Sequence, residues 1–147
     1  MEKILHIANE TETEKLGERI GQAAVPGMVV ALIGDLGTGK TTLTKAIARG
    51  LGVTETVTSP TFNIIREYKS GRVPLYHFDV YRIADPDEMF ELGYEEYFYG
   101  DGICVVEWAD IIEELLPEDA VIIHIDRGAS EEEREYIIES EEDLCIF

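Results

Sequence analysis

The sequence predicts an α/β domain in which a mixed, mostly parallel sheet is flanked by helices. Three adjoining segments carry that prediction. Met28-Val29-Val30-Ala31-Leu32-Ile33 is an unbroken apolar run, the pattern of a strand buried in a parallel sheet, and Pro26-Gly27 sets its start. Gly34-Asp35-Leu36-Gly37-Thr38-Gly39-Lys40-Thr41 is a complete G-x-x-x-x-G-K-[ST] phosphate loop. Thr42 to Leu51 then reads as a helix with Leu43, Ala46, Ile47 and Gly50 on one face, and Gly50 and Gly52 lie where a stop is expected. Strand, loop and helix in this order are the opening unit of the P-loop nucleoside triphosphate hydrolase fold.

Each part of the loop has a mechanical task. Gly37 and Gly39 permit backbone angles that a side chain would block, and they let amide N–H groups approach phosphate oxygens. Lys40 brings a cation to the β and γ phosphates, and Thr41 offers a hydroxyl to Mg²⁺. The helix that follows adds the partial positive charge of its N-terminus.

The other elements follow from local pattern. Lys3 to Ile7 suits a short edge strand. Thr11-Glu12-Thr13-Glu14 has the form of a capping box and opens a helix to Ala24, with Leu16, Ile20 and Ala23 or Ala24 inward. Thr58-Ser59-Pro60-Thr61 is a polar loop. Phe62 to Tyr68 alternates as a strand, Ser70-Gly71 turns the chain, and Pro74 to Val80 completes a hairpin. Asp85-Pro86-Asp87-Glu88 signals a helix start. It leads into an aromatic, acidic stretch with Phe90, Tyr94, Tyr97, Phe98 and Tyr99. Gly102 to Val106 is a second apolar strand. Asp110 to Leu116 reads as a short helix stopped by Pro117, and Ala120–Ile125 and Tyr136–Ile138 read as strands. No repeat or linker divides residues 1–147, so one domain is expected.

A chain of 147 residues is long enough to build a real hydrophobic core. No apolar run reaches the roughly 18 residues of a membrane span, and Met1 to His6 is too short in apolar residues for a secretory signal. A cytoplasmic protein is therefore expected. Cys104 lies in an apolar strand and reads as a buried thiol; with Cys145 it suggests neither a disulfide nor a zinc site. The net charge of −19 is uneven. Residues 1–82 carry 10 Lys/Arg against 9 Asp/Glu, whereas residues 83–147 carry 2 Arg against 22 Asp/Glu. The acidic half lacks the basic footprint that direct nucleic-acid binding relies on. It suits either a basic protein partner or a solvated face that aids solubility.

A phosphate loop needs a magnesium partner and a group that positions the attacking water. Glu107 ends the strand Ile103-Cys104-Val105-Val106, where a Walker B acid sits beside the phosphate loop at the carboxyl edge of the sheet. Asp79 ends a second apolar strand in His77-Phe78-Asp79-Val80-Tyr81-Arg82 and is the other acidic candidate. His77 fits either a packed strand histidine or a catalytic one. Arg82 fits a phosphate or a neighbouring acid equally well. Ser59 and Thr61 follow the loop helix, where a γ-phosphate-sensing segment often runs. Trp108 suits a cover for a nucleotide or partner, or a place in the core.

Taken together, these residues resemble the TsaE (YjeE) family. The matching blocks are Gly34–Thr42, Ser59-Pro60-Thr61-Phe62, His77-Phe78-Asp79-Val80-Tyr81-Arg82, Ala84-Asp85-Pro86-Asp87-Glu88 and Glu107-Trp108. The phosphate loop alone is generic; its combination with the other blocks, in order from about Leu16 to Arg134, is specific. The resemblance implies a bacterial ATPase that supports synthesis of threonylcarbamoyladenosine in tRNA. It implies TsaB and TsaD as partners, with tRNA met only through the complex and carbamoyl transfer performed by others. By match, Gly37, Thr38, Gly39, Lys40, Thr41 and Thr42 would hold ATP, Thr41 and Glu107 would bind Mg²⁺, and Asp79 would serve hydrolysis. Arg134 would approach the nucleotide. Thr38 stands where many members have Ala, and a small side chain is kept.

Two other readings are compatible with the residues. A small-molecule kinase of similar length would need basic residues in a lid, and residues 83–126 contain none. A binding module could use ATP as a structural ligand only, against which the intact set of Lys40, Thr41 and Glu107 argues.

Overall fold

The computed structural model describes residues 2–60 and 64–141. Seven strands form one sheet: β1 (Glu2–Ile7), β2 (Val29–Ile33), β3 (Ile65–Tyr68), β4 (Leu75–Asp79), β5 (Ile103–Glu107), β6 (Val121–Arg127) and β7 (Arg134–Glu139). Their order is β1-β7-β6-β2-β5-β4-β3. The centre, β6-β2-β5-β4, is parallel throughout. Antiparallel pairs close both flanks, β7 with β6 and β1 on one side and β3 with β4 on the other. The expected parallel core with antiparallel additions is the architecture found.

The central strands are apolar on both faces because helices cover both. The α-helices α1 (Glu10–Ala23) and α2 (Lys40–Leu51) pack on one face, against Val30, Leu32, Leu75, Ile103, Val105 and Ile123. The short helices α3 (Glu88–Glu91) and α4 (Tyr94–Phe98), with a 3-10 helix at Ala109–Leu115, cover the other, against Ala31, Phe78, Cys104 and Val106. Strand alternation thus sorts each side chain to one helical layer. His77, Asp79 and Glu107 fall on the α2 side because they keep step with Leu75, Ile103 and Val105.

Local chemistry sets the element ends, sometimes two residues away from the expected place. The cap of α1 is Asn9, not Thr11. Its side chain accepts from the Glu12 N–H at 3.1 Å, while the Glu12 carboxylate accepts from the Ala8 N–H at 2.9 Å. The pattern is therefore N-x-x-E two residues earlier, with Asn9 satisfying the Glu12 amide and Glu12 reaching back past the cap to Ala8. Leu16, Ile20 and Ala24 face inward as expected, whereas Ala23 is exposed. Helix α2 runs through Gly50 and stops only at Gly52, whose φ of 84° lets its N–H reach back to Ala48 and Arg49. Asp85 accepts from the Asp87 N–H, and Glu88 accepts from Ala84 and Asp85, so the expected start exists but feeds only the single turn α3.

Thr61 and the expected strand start at Phe62 lie outside the described residues, as does Cys145. Cys104 is a free, fully buried thiol, and burial pushes its pKa up to about 12. No helix among the described residues is long and apolar enough to cross a membrane.

Candidate functional site

The site forms where β2, β4 and β5 end together beneath the N-terminus of α2. The loop between β2 and α2 turns on two residues in the left-handed region, Gly37 with φ 81° and Gly39 with φ 100°. A Cβ at Gly39 would meet no protein atom within 4 Å, so the backbone there faces open space from which a phosphate can approach. Thr38 tightens the turn, with its hydroxyl donating to the Asp35 carbonyl at 2.8 Å.

Lys40 opens α2 and folds back over the loop. Its Nζ donates to the carbonyls of Gly34 at 2.6 Å and Asp35 at 2.9 Å, and it lies 3.9 Å from the centre of the Trp108 ring. Burial lowers its pKa, opposed by the nearby carboxylates of Glu107, Asp79, Asp35 and Asp110. Trp108 has φ 62°, the one positive φ outside glycine among the described residues. Holding a non-glycine residue there costs about 1–2 kcal/mol. The turn swings its ring between Lys40 and Tyr81, whose ring centroid is 4.7 Å away.

Thr41 and Glu107 meet across this mouth. The Thr41 hydroxyl donates to Glu107 Oε1 at 3.1 Å and lies 3.2 Å from the Ser59 hydroxyl. Glu107 is almost fully buried, and its Oε2 lies 2.5 Å from His77 Nε2. Asp79 is the register partner of Glu107 across β4 and β5. Burial raises the Asp79 pKa; the Tyr81 N–H, donated at 3.1 Å, opposes the shift, and the charge of Glu107 adds to it. A hydroxyl and a carboxylate oxygen 3.1 Å apart suit Mg²⁺, which takes hard oxygen donors at about 2.0–2.1 Å and completes its shell with phosphate and water.

On the other side of the loop, a cleft of about 280 Å³ is lined by Glu10, Thr13, Gly37, Thr38, Gly39, Thr42, Glu131, Glu132 and Arg134. The phosphate loop thus lies between the mouth at Glu107 and a cleft beside Thr42 whose lining includes Glu10, Glu131, Glu132 and Arg134.

The model of the family described as "Threonylcarbamoyl adenosine biosynthesis protein TsaE" matches residues 7–136. The chain belongs to the TsaE family. A Bacillus subtilis protein named tRNA threonylcarbamoyladenosine biosynthesis protein TsaE is 53% identical over 127 residues, covering 86% of this chain and 78% of that one. A Treponema pallidum protein of the same name is 43% identical over 114 residues, covering 78% of this chain and 84% of its own length. The crystal structure of YdiB from Bacillus subtilis superposes with a TM-score of 0.85 at 42% identity, covering 99% of this chain and 92% of that one.

The phosphate loop, Ser59, the strand ending at Asp79 and Glu107-Trp108 converge in space, whereas Ala84–Glu88 starts α3 away from them. Lys40, Thr41, Asp79, Glu107, Ser59 and Trp108 share one mouth, and Thr42 and Thr38 line the cleft behind it. Arg134, expected to approach the nucleotide, lines the cleft beside Thr38 and Thr42 and also holds the loop. Its Nε donates to the Thr38 carbonyl at 3.0 Å and one terminal nitrogen lies 3.4 Å from the Gly37 carbonyl, so it braces the loop while one edge of the residue lines the cleft. Sequence reasoning missed Arg127, which donates to the Leu36 carbonyl at 2.8 Å. A signal was available: the acidic half holds only these two arginines, and both lie on the loop. It also missed Thr44, whose hydroxyl donates to the Lys40 carbonyl and lies 3.5 Å from Glu107 Oε2. A threonine one turn into a helix carries no signal of its own.

Proposed function

We propose that this chain is the ATP-binding and ATP-hydrolysing subunit of the machinery that makes threonylcarbamoyladenosine in tRNA. In this reading it works in the cytoplasm with TsaB and TsaD, and meets tRNA only through them. The observation that carries the enzymatic part is the meeting of Thr41 and Glu107 at 3.1 Å in front of an intact phosphate loop. The names of its relatives support the pathway.

The roles follow from charge and position. Gly37 and Gly39 present backbone N–H groups to phosphate oxygens, Thr38 holds the turn between them through its N–H and hydroxyl on the Asp35 carbonyl, and the N-terminus of α2 lies behind. Lys40 exchanges the Gly34 and Asp35 carbonyls for β and γ phosphate oxygens, which are better partners for a cation. Thr41 and Glu107 hold Mg²⁺, which when bound neutralises charge that develops on the phosphates. Asp79, beside Glu107 and partly buried, accepts a hydrogen bond from the attacking water and sets its line of approach. Thr42 and the cleft beside it take the nucleoside side of ATP.

Phosphate release from ATP, measured with and without Mg²⁺ and with and without TsaB and TsaD, tests the reading. Release should require Mg²⁺. Glu107→Gln keeps the shape and removes the charge, so turnover should fall by at least about tenfold, the effect of one preorganised group in a dry site commonly reaching about 10²–10³. Nucleotide affinity should fall less than turnover does. Metal-independent release, or full turnover in Glu107→Gln, would overturn the assignment. Phosphate appearing on an added alcohol or nucleoside would point to a kinase instead.

A further inference from the structure

The two oxygens of Glu107 have different surroundings. Oε1 faces the Thr41 hydroxyl at 3.1 Å, and Oε2 lies 2.5 Å from His77 Nε2. Thr44 Oγ1 is 3.5 Å from Oε2, but a hydroxyl has one proton, and that proton goes to the Lys40 carbonyl at 2.9 Å. His77 is therefore the strong donor to Oε2. Its other nitrogen, Nδ1, is buried and has no hydrogen-bond partner among the described residues. A carboxylate oxygen accepts, so the donor 2.5 Å from Oε2 is Nε2–H; a proton on Nδ1 instead would set two acceptors against each other and orphan a buried N–H. Hydrogen bonding thus places the ring proton on Nε2, aimed at Glu107.

The surroundings argue against simple packing. His77 is fully buried among Leu75, Ile103 and Val105 on the face that ends in Asp79 and Glu107. An apolar side chain would fill that slot without burying a polar ring and leaving one nitrogen unpaired. The ring's one polar contact goes to the carboxylate that meets Thr41 of the phosphate loop.

We propose that His77 is a positioning residue: its Nε2–H pins Oε2 of Glu107 and so holds Oε1 toward Thr41, on the side where the metal enters. This rests on the reading of Glu107 as the magnesium partner. His77 touches neither metal nor nucleotide; it acts through the orientation of the carboxylate, as a histidine or carboxylate behind a metal ligand commonly does.

The test is calorimetric binding of a non-hydrolysable ATP analogue, alone and with Mg²⁺, which needs no turnover. Wild-type affinity should rise when Mg²⁺ is added. His77→Leu should lose about 10- to 100-fold of that Mg²⁺-dependent affinity, the usual effect of removing such a supporting group, while Mg²⁺-free affinity stays close to wild type. His77→Gln should restore the rise, because its amide nitrogen reaches the place of Nε2. His77→Asn, whose amide is shorter, should not. Should His77→Leu fail to fold, the contrast between the Gln and Asn variants decides. A full Mg²⁺ effect in His77→Leu or His77→Asn, or equal losses with and without Mg²⁺ in His77→Leu and His77→Gln, would overturn the proposal. Glu107→Gln in the same assay separates the layers. If it keeps the Mg²⁺ effect, the metal role of Glu107 fails. If it loses the effect while His77→Leu keeps it, only the positioning role fails.

Discussion

Lys40 donates to two carbonyls of its own loop and lies against the Trp108 ring. Phosphate oxygens are charged acceptors and therefore stronger partners for this cation than neutral carbonyls. A charge-assisted hydrogen bond is worth roughly 1.5–3 kcal/mol, so Lys40→Ala should weaken ATP binding by about 10- to 150-fold. Calorimetry on the folded variant checks this, and unchanged affinity would contradict the role. Asp79 poses a separate question because its carboxylate lies beside that of Glu107, and burial raises its pKa. Asp79→Asn removes the charge and keeps the size. Turnover with TsaB and TsaD present should fall at least about tenfold, since a positioned acid–base group contributes typically about 10²-fold or more. Wild-type turnover would discard the water-orienting role.

Among the elements, the pair α1 and α2 decides how firmly the loop is held, because α2 carries the loop's last residues. The two helices approach closely through small residues. A Cβ on Gly21 would lie 2.2 Å from the Ile47 carbonyl oxygen, and one on Gly50 would lie 2.2 Å from that of Glu18. These contacts are to backbone, which cannot swing away as a side chain end can. Gly21→Ala would gain up to about 1 kcal/mol from helix propensity. Overpacking costs roughly 1–3 kcal/mol, so the net change should be destabilising. Chemical denaturation should show a lower midpoint with an unchanged slope. An equal or higher midpoint would mean that the helices can separate without loss. The sequence pattern of Leu16 and Ile20 located the inward stripe of α1, but not that Gly17 and Gly21 share it. Glycine gives no hydrophobic period to read, and its value appears only when a second helix lies against it.

For the whole molecule, charge is the main lever. The exposed part of the acidic half includes Glu95 and Glu96, with Phe90 and Tyr99 standing out at 54% and 66% exposure. Tyr94 and Phe98 are core, and Tyr97 is half-buried against Tyr76 and Phe78, so only part of the aromatic stretch is available as contact surface. If this surface meets TsaB or TsaD, long-range attraction should speed association and be screened beyond about 8–10 Å at physiological salt. Association rates measured at two salt concentrations should fall at the higher one. Replacing Glu95 and Glu96 by Lys should slow association without unfolding the domain. Salt-independent rates, or tight binding of the isolated chain to tRNA, would contradict this picture.

The sequence by itself determined the parts of the site whose signals are local. The phosphate loop, the strand before it, the helix after it and the acids at the ends of β4 and β5 are all written in consecutive residues, as motif or as apolar run. Tertiary structure alone decided which of these parts meet. Sheet order is set by pairing between residues far apart in the chain, and no local pattern states that β5 lies between β2 and β4. That order puts Asp79 in register with Glu107, draws Glu107 to Thr41, and places His77 behind the same carboxylate. It also brings Arg127 and Arg134, from strands on the other side of β2, onto the phosphate loop. Identity at a strand end follows from short-range pattern; partnership at the site follows from long-range packing, which only the folded chain expresses.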